Sequence, residues 1–108
     1  MASANWGDVY YCQMTNFVEL ILEGEKKNYK LEKFQFKLDQ TKNAMVFGSK
    51  GYFKYKVIEL DKGMNFPSQE SWYTQGLFSS TYFEKGKFLF TENGHKGLSA
   101  ASADCDKF

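Results

Sequence analysis

The sequence predicts an all-β protein, formed either by a single antiparallel meander barrel of seven or eight strands or by a β-sandwich, with at most one short helix. Aromatic residues make up 19% of the 108 residues, as 11 Phe, 7 Tyr and 2 Trp. Such side chains favour half-buried pleated surfaces. Short segments of alternating polarity recur between glycines and polar clusters. We expect one domain over residues 1–108, with residues 1–7 flexible.

The clearest alternation predicts a three-stranded antiparallel meander. The segment FQFKL, residues 34–38, has an apolar side chain at every second position and fits a strand that buries one face. A loop, DQTKN, leads to a second strand, AMVFG, and the tight connection GSKG follows. We predict residues 52–60 as one further strand, because its lysines alternate with Phe53, Tyr55 and Val57.

Glycines mark the connections of the C-terminal half. The segment TYFEKGKFLFTENG predicts a hairpin, with Lys85-Gly86 in a loop of three or four residues. The segment before this hairpin is SWYTQGLFSS. Gly76 interrupts its alternation of polar and apolar residues, which predicts a bulge or a bend.

The segment 16–28 fits two structures. FVELILEGEKK is compatible with a strand followed by a polar turn at residues 23–28, or with a short amphipathic helix capped by Thr15 or Asn16. Gly24 ends the helical pattern within two turns, which favours the strand. After Gly24 the large apolar side chains change from odd-numbered to even-numbered positions. A single strand over residues 29–38 would therefore need a bulge near Glu32-Lys33.

The two cysteines lie in the first and last predicted strands. In the tail LSAASADCDKF the residues Ala101, Ala103 and Cys105 share one face, which predicts a closing strand. Closing a barrel, as in a lipocalin-like fold, removes exposed strand edges and makes the first and last strands neighbours. Cys12 and Cys105 would then form a disulfide, which in the chain-entropy model removes roughly 4–5 kcal/mol of unfolded-state entropy. The alternative is two reduced, buried cysteines in a cytosolic protein.

The tripeptide YYC at residues 10–12, together with Cys105, resembles the layout of the periplasmic inhibitors of c-type lysozyme. In those small barrels a Y-x-C segment of the first strand is bridged to a cysteine near the C-terminus. The resemblance implies a barrel closed by this bridge. The inhibitory S-G-x-x-Y loop is absent from the sequence, so no inhibitory residue is carried over.

Charge and motifs argue against several function classes. The net charge is +1 and every basic residue is lysine, so we expect no nucleic-acid partner. No apolar run reaches the roughly 18–20 residues of a membrane span. The one histidine, His95, lies in a polar loop segment and no catalytic or metal-binding motif accompanies it. We expect no enzymatic activity, no cofactor and no metal.

The surplus of aromatic residues suggests a binding role. Adjacent aromatic pairs point to opposite faces of a strand, so some large rings lie at a barrel mouth or on the surface. We predict ligand-binding residues at Trp6, Tyr10, Trp72 and Tyr73. The expected function is a non-enzymatic module that binds a small apolar or sugar ligand. The alternative is a protein–protein module, either an enzyme inhibitor or a homo-oligomeric subunit such as a homodimer. A disulfide favours a secreted or periplasmic protein over a cytoplasmic one.

Overall fold

The fold of the chain is all-β. The computed structural model describes residues 5–60, 71–94 and 96–108, and this part of the chain contains no helix. Residues 16–21 are extended, which confirms the strand alternative, and residues 22–25 form the turn; the turn predicted over residues 23–28 is shorter, because residues 26–28 form a strand of their own. The strands are β1 (Val9–Ile21), β2 (Lys26–Asn28), β3 (Lys33–Asp39), β4 (Ala44–Phe47), β5 (Val57–Glu59), β6 (Ser71–Gln75), β7 (Ser79–Glu84), β8 (Lys87–Asn93) and β9 (Gly97–Lys107).

One antiparallel sheet contains all nine strands of the described residues. Its order is β5-β4-β3-β1-β9-β8-β7-β6, and β2 pairs with β1 beyond β3. The sheet curls until it is nearly closed into a barrel. Phe36 of β3 contacts Phe83 of β7 across the interior, with ring centroids 5.1 Å apart. The predicted all-β barrel is thus confirmed, and β5 and β6 are the two ends of the sheet.

The longest pairing joins the first strand to the last. β1 and β9 align over eleven residue pairs, in which Cys12 lies opposite Cys105. The two cysteines form a disulfide, as predicted. The register shifts by one residue between Met14 and Asn16, so Thr15 is the additional residue of a β-bulge in β1. The Ser102 hydroxyl of β9 bonds both Thr15 Oγ1, at 2.8 Å, and Asn16 Nδ2, at 2.9 Å.

Residues 29–38 do not form one strand with a bulge near Glu32-Lys33, because residues 29–32 separate β2 from β3. Both strands nevertheless pair with β1, and backbone bonds hold the interruption against it. Tyr29 N–H donates to the Phe17 carbonyl at 2.8 Å, and Met14 N–H donates to the Glu32 carbonyl at 3.0 Å.

The prediction of one strand over residues 52–60 is wrong. Residues 51–55 form turns, and only Val57–Glu59 pair with β4. Phe53 reaches the core from this loop and is fully buried, whereas Tyr55 is exposed and has a φ of 59°. Burial of the Phe53 ring outweighs regular pairing here, since an aromatic side chain removes about 150–250 Å² from water.

Glycines mark both hairpin connections of the C-terminal half, and the β7–β8 loop is shorter than predicted. The loop between β7 and β8 has only two residues, Lys85 and Gly86, with φ of 51° and 78°. Positive φ at both positions is typical of a type I′ turn. Gly76 begins the connection between β6 and β7, where its N–H donates to the Ser79 carbonyl at 2.7 Å. Of the predicted alternatives, a bulge or a bend, the bend is confirmed, and it forms the connection of the β6–β7 hairpin.

Aromatic side chains fill the barrel. Those buried at 5% exposure or less come from every side of the sheet and from the 48–56 loop: Tyr10, Phe34, Phe36, Phe47, Phe53, Trp72, Phe83, Phe88 and Phe90. On β9 the small side chains of Ala101 and Ala103 face these rings, as the parity of the tail predicted. Residues 1–4 lie outside the described residues, and the single domain with a flexible 1–7 segment stays a prediction.

Removing the disulfide tests the importance of the β1–β9 pairing. Because the bridge closes a sequence separation of 93 residues, the double variant Cys12→Ala/Cys105→Ala should lose up to about 4–5 kcal/mol of unfolding free energy. Urea denaturation followed by circular dichroism measures the loss. An unchanged denaturation midpoint would contradict this role, and two reactive thiols in the unfolded, unreduced wild type would contradict the bridge itself.

Candidate ligand-binding groove

Three of the four predicted ligand-binding residues belong to the interior. Trp72 is 2% exposed, and the partly buried Trp6 packs edge-on against it at 4.8 Å. Tyr10 is 5% exposed and contacts Phe36 and Phe83. Burial, with a smaller effect of Asp8, raises the pKa of Tyr10.

Tyr73 lies on the opposite face of the sheet. Its hydroxyl donates to Gln75 Oε1 at 2.8 Å, and its ring is 6.2 Å from that of Tyr82. The structure therefore brings Trp6 and Trp72 together but does not place all four residues in one site. Their ligand-binding role stays a prediction.

An open groove lies at the other mouth of the barrel, beyond the bulge of β1. The C-terminal half of β1, residues 29–32, the 48–56 loop and β9 all contribute to it. Its volume is about 450 Å³, which lies within the usual range of small-molecule sites. The lining residues are Phe17, Glu19, Tyr29, Lys30, Glu32, Tyr52 and Ser99. We call this the mouth groove.

Three aromatic rings form the centre of the mouth groove. Phe17 is its buried floor, and its ring centroid lies 5.1 Å from that of Tyr29 and 4.9 Å from that of Tyr52. The two tyrosines are the walls, each 42% exposed. Tyr52 also packs edge-on against the buried Phe53, at 5.2 Å. The rings are thus supported from the core while part of their surface faces solvent.

Each wall tyrosine donates a hydrogen bond to a carboxylate. Tyr29 Oη lies 2.5 Å from Glu19 Oε1, and Tyr52 Oη lies 3.2 Å from Glu92 Oε1. The hydrogen bond to Glu19 is the main reason that the pKa of Tyr29 is raised. Burial raises the pKa of Tyr52 most, and the negative charge of Glu92 adds to it. Both effects extend the pH range in which the phenols are neutral and can donate.

No cluster of metal-ligating side chains accompanies the groove in the described residues. Within 5–60, 71–94 and 96–108, no three His, Cys, Asp or Glu side chains are grouped to hold a metal ion. His95 lies outside the described residues. The same part of the chain has no helix long and apolar enough to cross a membrane.

Sequence reasoning missed Phe17, Tyr29 and Tyr52 as site residues. Tyr52-Phe53 is an adjacent aromatic pair, but it lies in a turn and not in a strand. Phe53 enters the core and Tyr52 lines the groove, while their rings stay in edge-on contact. That signal alone does not choose Tyr52 over the other pairs. Phe17 and Tyr29 meet only because of the strand pairing, which no local pattern shows.

No family model, curated protein or solved structure matches the chain. The resemblance to the lysozyme inhibitors is limited to the bridge between the first and last strands. The groove itself is therefore the basis for inferring a function.

The hydrogen bond from Tyr29 to Glu19 can be tested through the pKa of Tyr29. A carboxylate beside a phenol disfavours the tyrosinate, so Glu19→Gln should lower the pKa of Tyr29 towards its ordinary value near 10. The ring carbon shift of Tyr29, followed by NMR against pH, reports this pKa. Glu59→Gln, on the exposed side of β5, is the control and should leave it unchanged. A Tyr29 pKa that Glu19→Gln does not move would show that the hydrogen bond is not formed in solution.

Proposed function

We propose that the protein is a non-enzymatic binding module that holds a small ligand in the mouth groove. The observation that carries the proposal is the three-ring cluster, whose floor is buried and whose walls are partly open to solvent. Packing against the core and the hydrogen bonds of both tyrosines fix the ring positions before a ligand arrives. Such preorganisation lowers the entropic cost of binding.

Of the two ligand classes expected from the sequence, a sugar fits the groove better than a purely apolar molecule. Carboxylates from Glu19 and Glu32 and the side chain of Ser99 surround the rings. An apolar ligand would displace water from these groups without replacing its hydrogen bonds, which is costly. A sugar ring has a C–H face that can stack on tyrosine and hydroxyls that can donate to carboxylates.

The disulfide supports a proposal about the compartment. Cys12 and Cys105 are bridged, and bridges of this kind persist mainly in oxidising environments. We therefore propose that the protein works outside the cytoplasm, as a secreted or periplasmic protein.

A protein–protein module is the second candidate, and it is supported by the outer face of the sheet. Tyr73, Tyr82 and Leu89 are neighbours in register across β6, β7 and β8. Tyr82 is 38% and Leu89 is 51% exposed, so the row is open to solvent. If this row pairs two copies of the chain, sedimentation should give a stable dimer. A monomer at all concentrations would count against the homodimer.

Ligand titrations with matched variants test the mouth groove. In NMR titrations with a panel of mono- and disaccharides, a binding sugar should shift the ring signals of Tyr29 and Tyr52 saturably. Tyr52→Ala should then weaken binding about tenfold, since ring stacking contributes on the order of 1 kcal/mol. Tyr73→Ala is the control, because its ring lies on the opposite face and its loss should not change the affinity.

Urea denaturation should show that both variants remain folded. A loss of affinity in Tyr73→Ala with none in Tyr52→Ala would contradict the groove and favour the outer face instead. Absence of saturable shifts with every sugar would contradict the proposed sugar ligand.

A further inference from the structure

We propose that the ligand of the mouth groove carries a positive charge, in the form of an ammonium group such as the protonated amine of an amino sugar. This inference rests on the proposed binding function and specifies its ligand class. It is carried by the aromatic walls of the groove and by the charge around them.

The wall rings have the chemistry that attracts a cation. A cation within about 6 Å of a tyrosine ring centroid is attracted by the negative face of the ring. In the mouth groove the hydroxyls of both walls donate to carboxylates. Donation to an anion pushes electron density into the phenol ring and strengthens this attraction. The barrel already shows one such contact, since Lys56 Nζ lies 5.7 Å from the ring centroid of Phe90.

The charge around the rings is complementary to a cation. Glu19 and Glu32 line the groove and Glu92 bonds the Tyr52 hydroxyl, whereas Lys30 is the one basic residue in the lining. Lys27 lies opposite Glu19 in the β1–β2 pairing and adds a second ammonium group near the groove. Three carboxylates against two ammonium groups still leave an excess of negative charge. The whole chain has a net charge of +1, so this excess is local to the groove.

Within the part of the chain that the structure describes, none of the three carboxylates is held in an ion pair. The ion pairs of Lys87 with Asp104 and of Lys107 with Asp8 lie at the opposite end of β9. Glu19 and Glu92 each accept a hydrogen bond from a neutral phenol. An ammonium ligand would supply the missing positive charge and could donate to these carboxylates while its carbon atoms stack on the rings.

Three sugars with the same ring distinguish charge from shape. Glucosamine carries the amine, glucose replaces it with a hydroxyl, and N-acetylglucosamine keeps the nitrogen but removes its charge. At a pH at which the amine is protonated, NMR titration should show glucosamine binding about tenfold tighter than either neutral sugar. Added salt should weaken glucosamine binding more than glucose binding, because it screens charges near the surface.

Charge-neutralising variants assign the preference to the groove. Glu19→Gln and Glu92→Gln keep an oxygen that can accept from the tyrosine hydroxyl, so each should reduce the preference for glucosamine several-fold while glucose binding changes little. Glu59→Gln removes one carboxylate on the exposed side of β5 and should leave the preference intact.

The outcomes separate this inference from the proposed function. Equal affinities for the three sugars, with saturable shifts at Tyr29 and Tyr52, would overturn the cationic ligand and leave the sugar-binding groove in place. A glucosamine preference that Glu59→Gln abolishes, but Glu19→Gln and Glu92→Gln do not, would also overturn it. No saturable binding of these three sugars or of any other member of the mono- and disaccharide panel would overturn both.

Discussion

The pairing of β1 with β9, with its bulge at Thr15, determines both how the barrel closes and where the groove lies. Up to Met14 the even-numbered residues of β1 face the interior, and after the bulge the odd-numbered ones do. Without the additional residue, Phe17 and Glu19 would point outwards, because neighbouring positions of a strand alternate between faces. The bulge thus turns the floor of the groove and the acceptor of the Tyr29 hydroxyl inwards.

The same pairing gives the two halves of β1 different environments. The disulfide joins Cys12 to Cys105 before the bulge, where the interior is filled by rings such as Tyr10 and Phe36. A bridge holds the register of this half, so the shift at Thr15 falls at a fixed position on β9. Beyond it Glu19 and Ser99 place polar groups on the inner face. The barrel is therefore a packed core at one end and a polar-rimmed, aromatic groove at the other.

The barrel, its C-terminal hairpin and its disulfide could be predicted from the alternation of polar and apolar residues and from the positions of the cysteines. Alternation indicates where the strands lie, and closing those strands into a barrel brings the two cysteines together. The 52–60 strand and the groove were not predictable in this way. Phe53 is buried in the core and lies outside regular strand pairing. Its burial depends on tertiary packing, which the periodicity of the sequence does not predict. Phe17 meets Tyr29 and Tyr52 only through a one-residue register shift and a loop, neither of which has a distinctive residue pattern.

The energetic contrast between the buried rings and the mouth groove explains why function is assigned to the groove. Trp72 and Phe83 gain their stabilisation by complete burial, so exposing either to a ligand would cost core packing. Tyr29 and Tyr52 are only partly buried, and their hydroxyls donate hydrogen bonds to the carboxylates of Glu19 and Glu92. These rings retain surface that a ligand can bury. The carboxylates would lose hydration when a ligand covers them, and a positively charged group offsets that loss better than a neutral one. An ammonium ligand would therefore use ring surface and carboxylates that core packing leaves open to solvent.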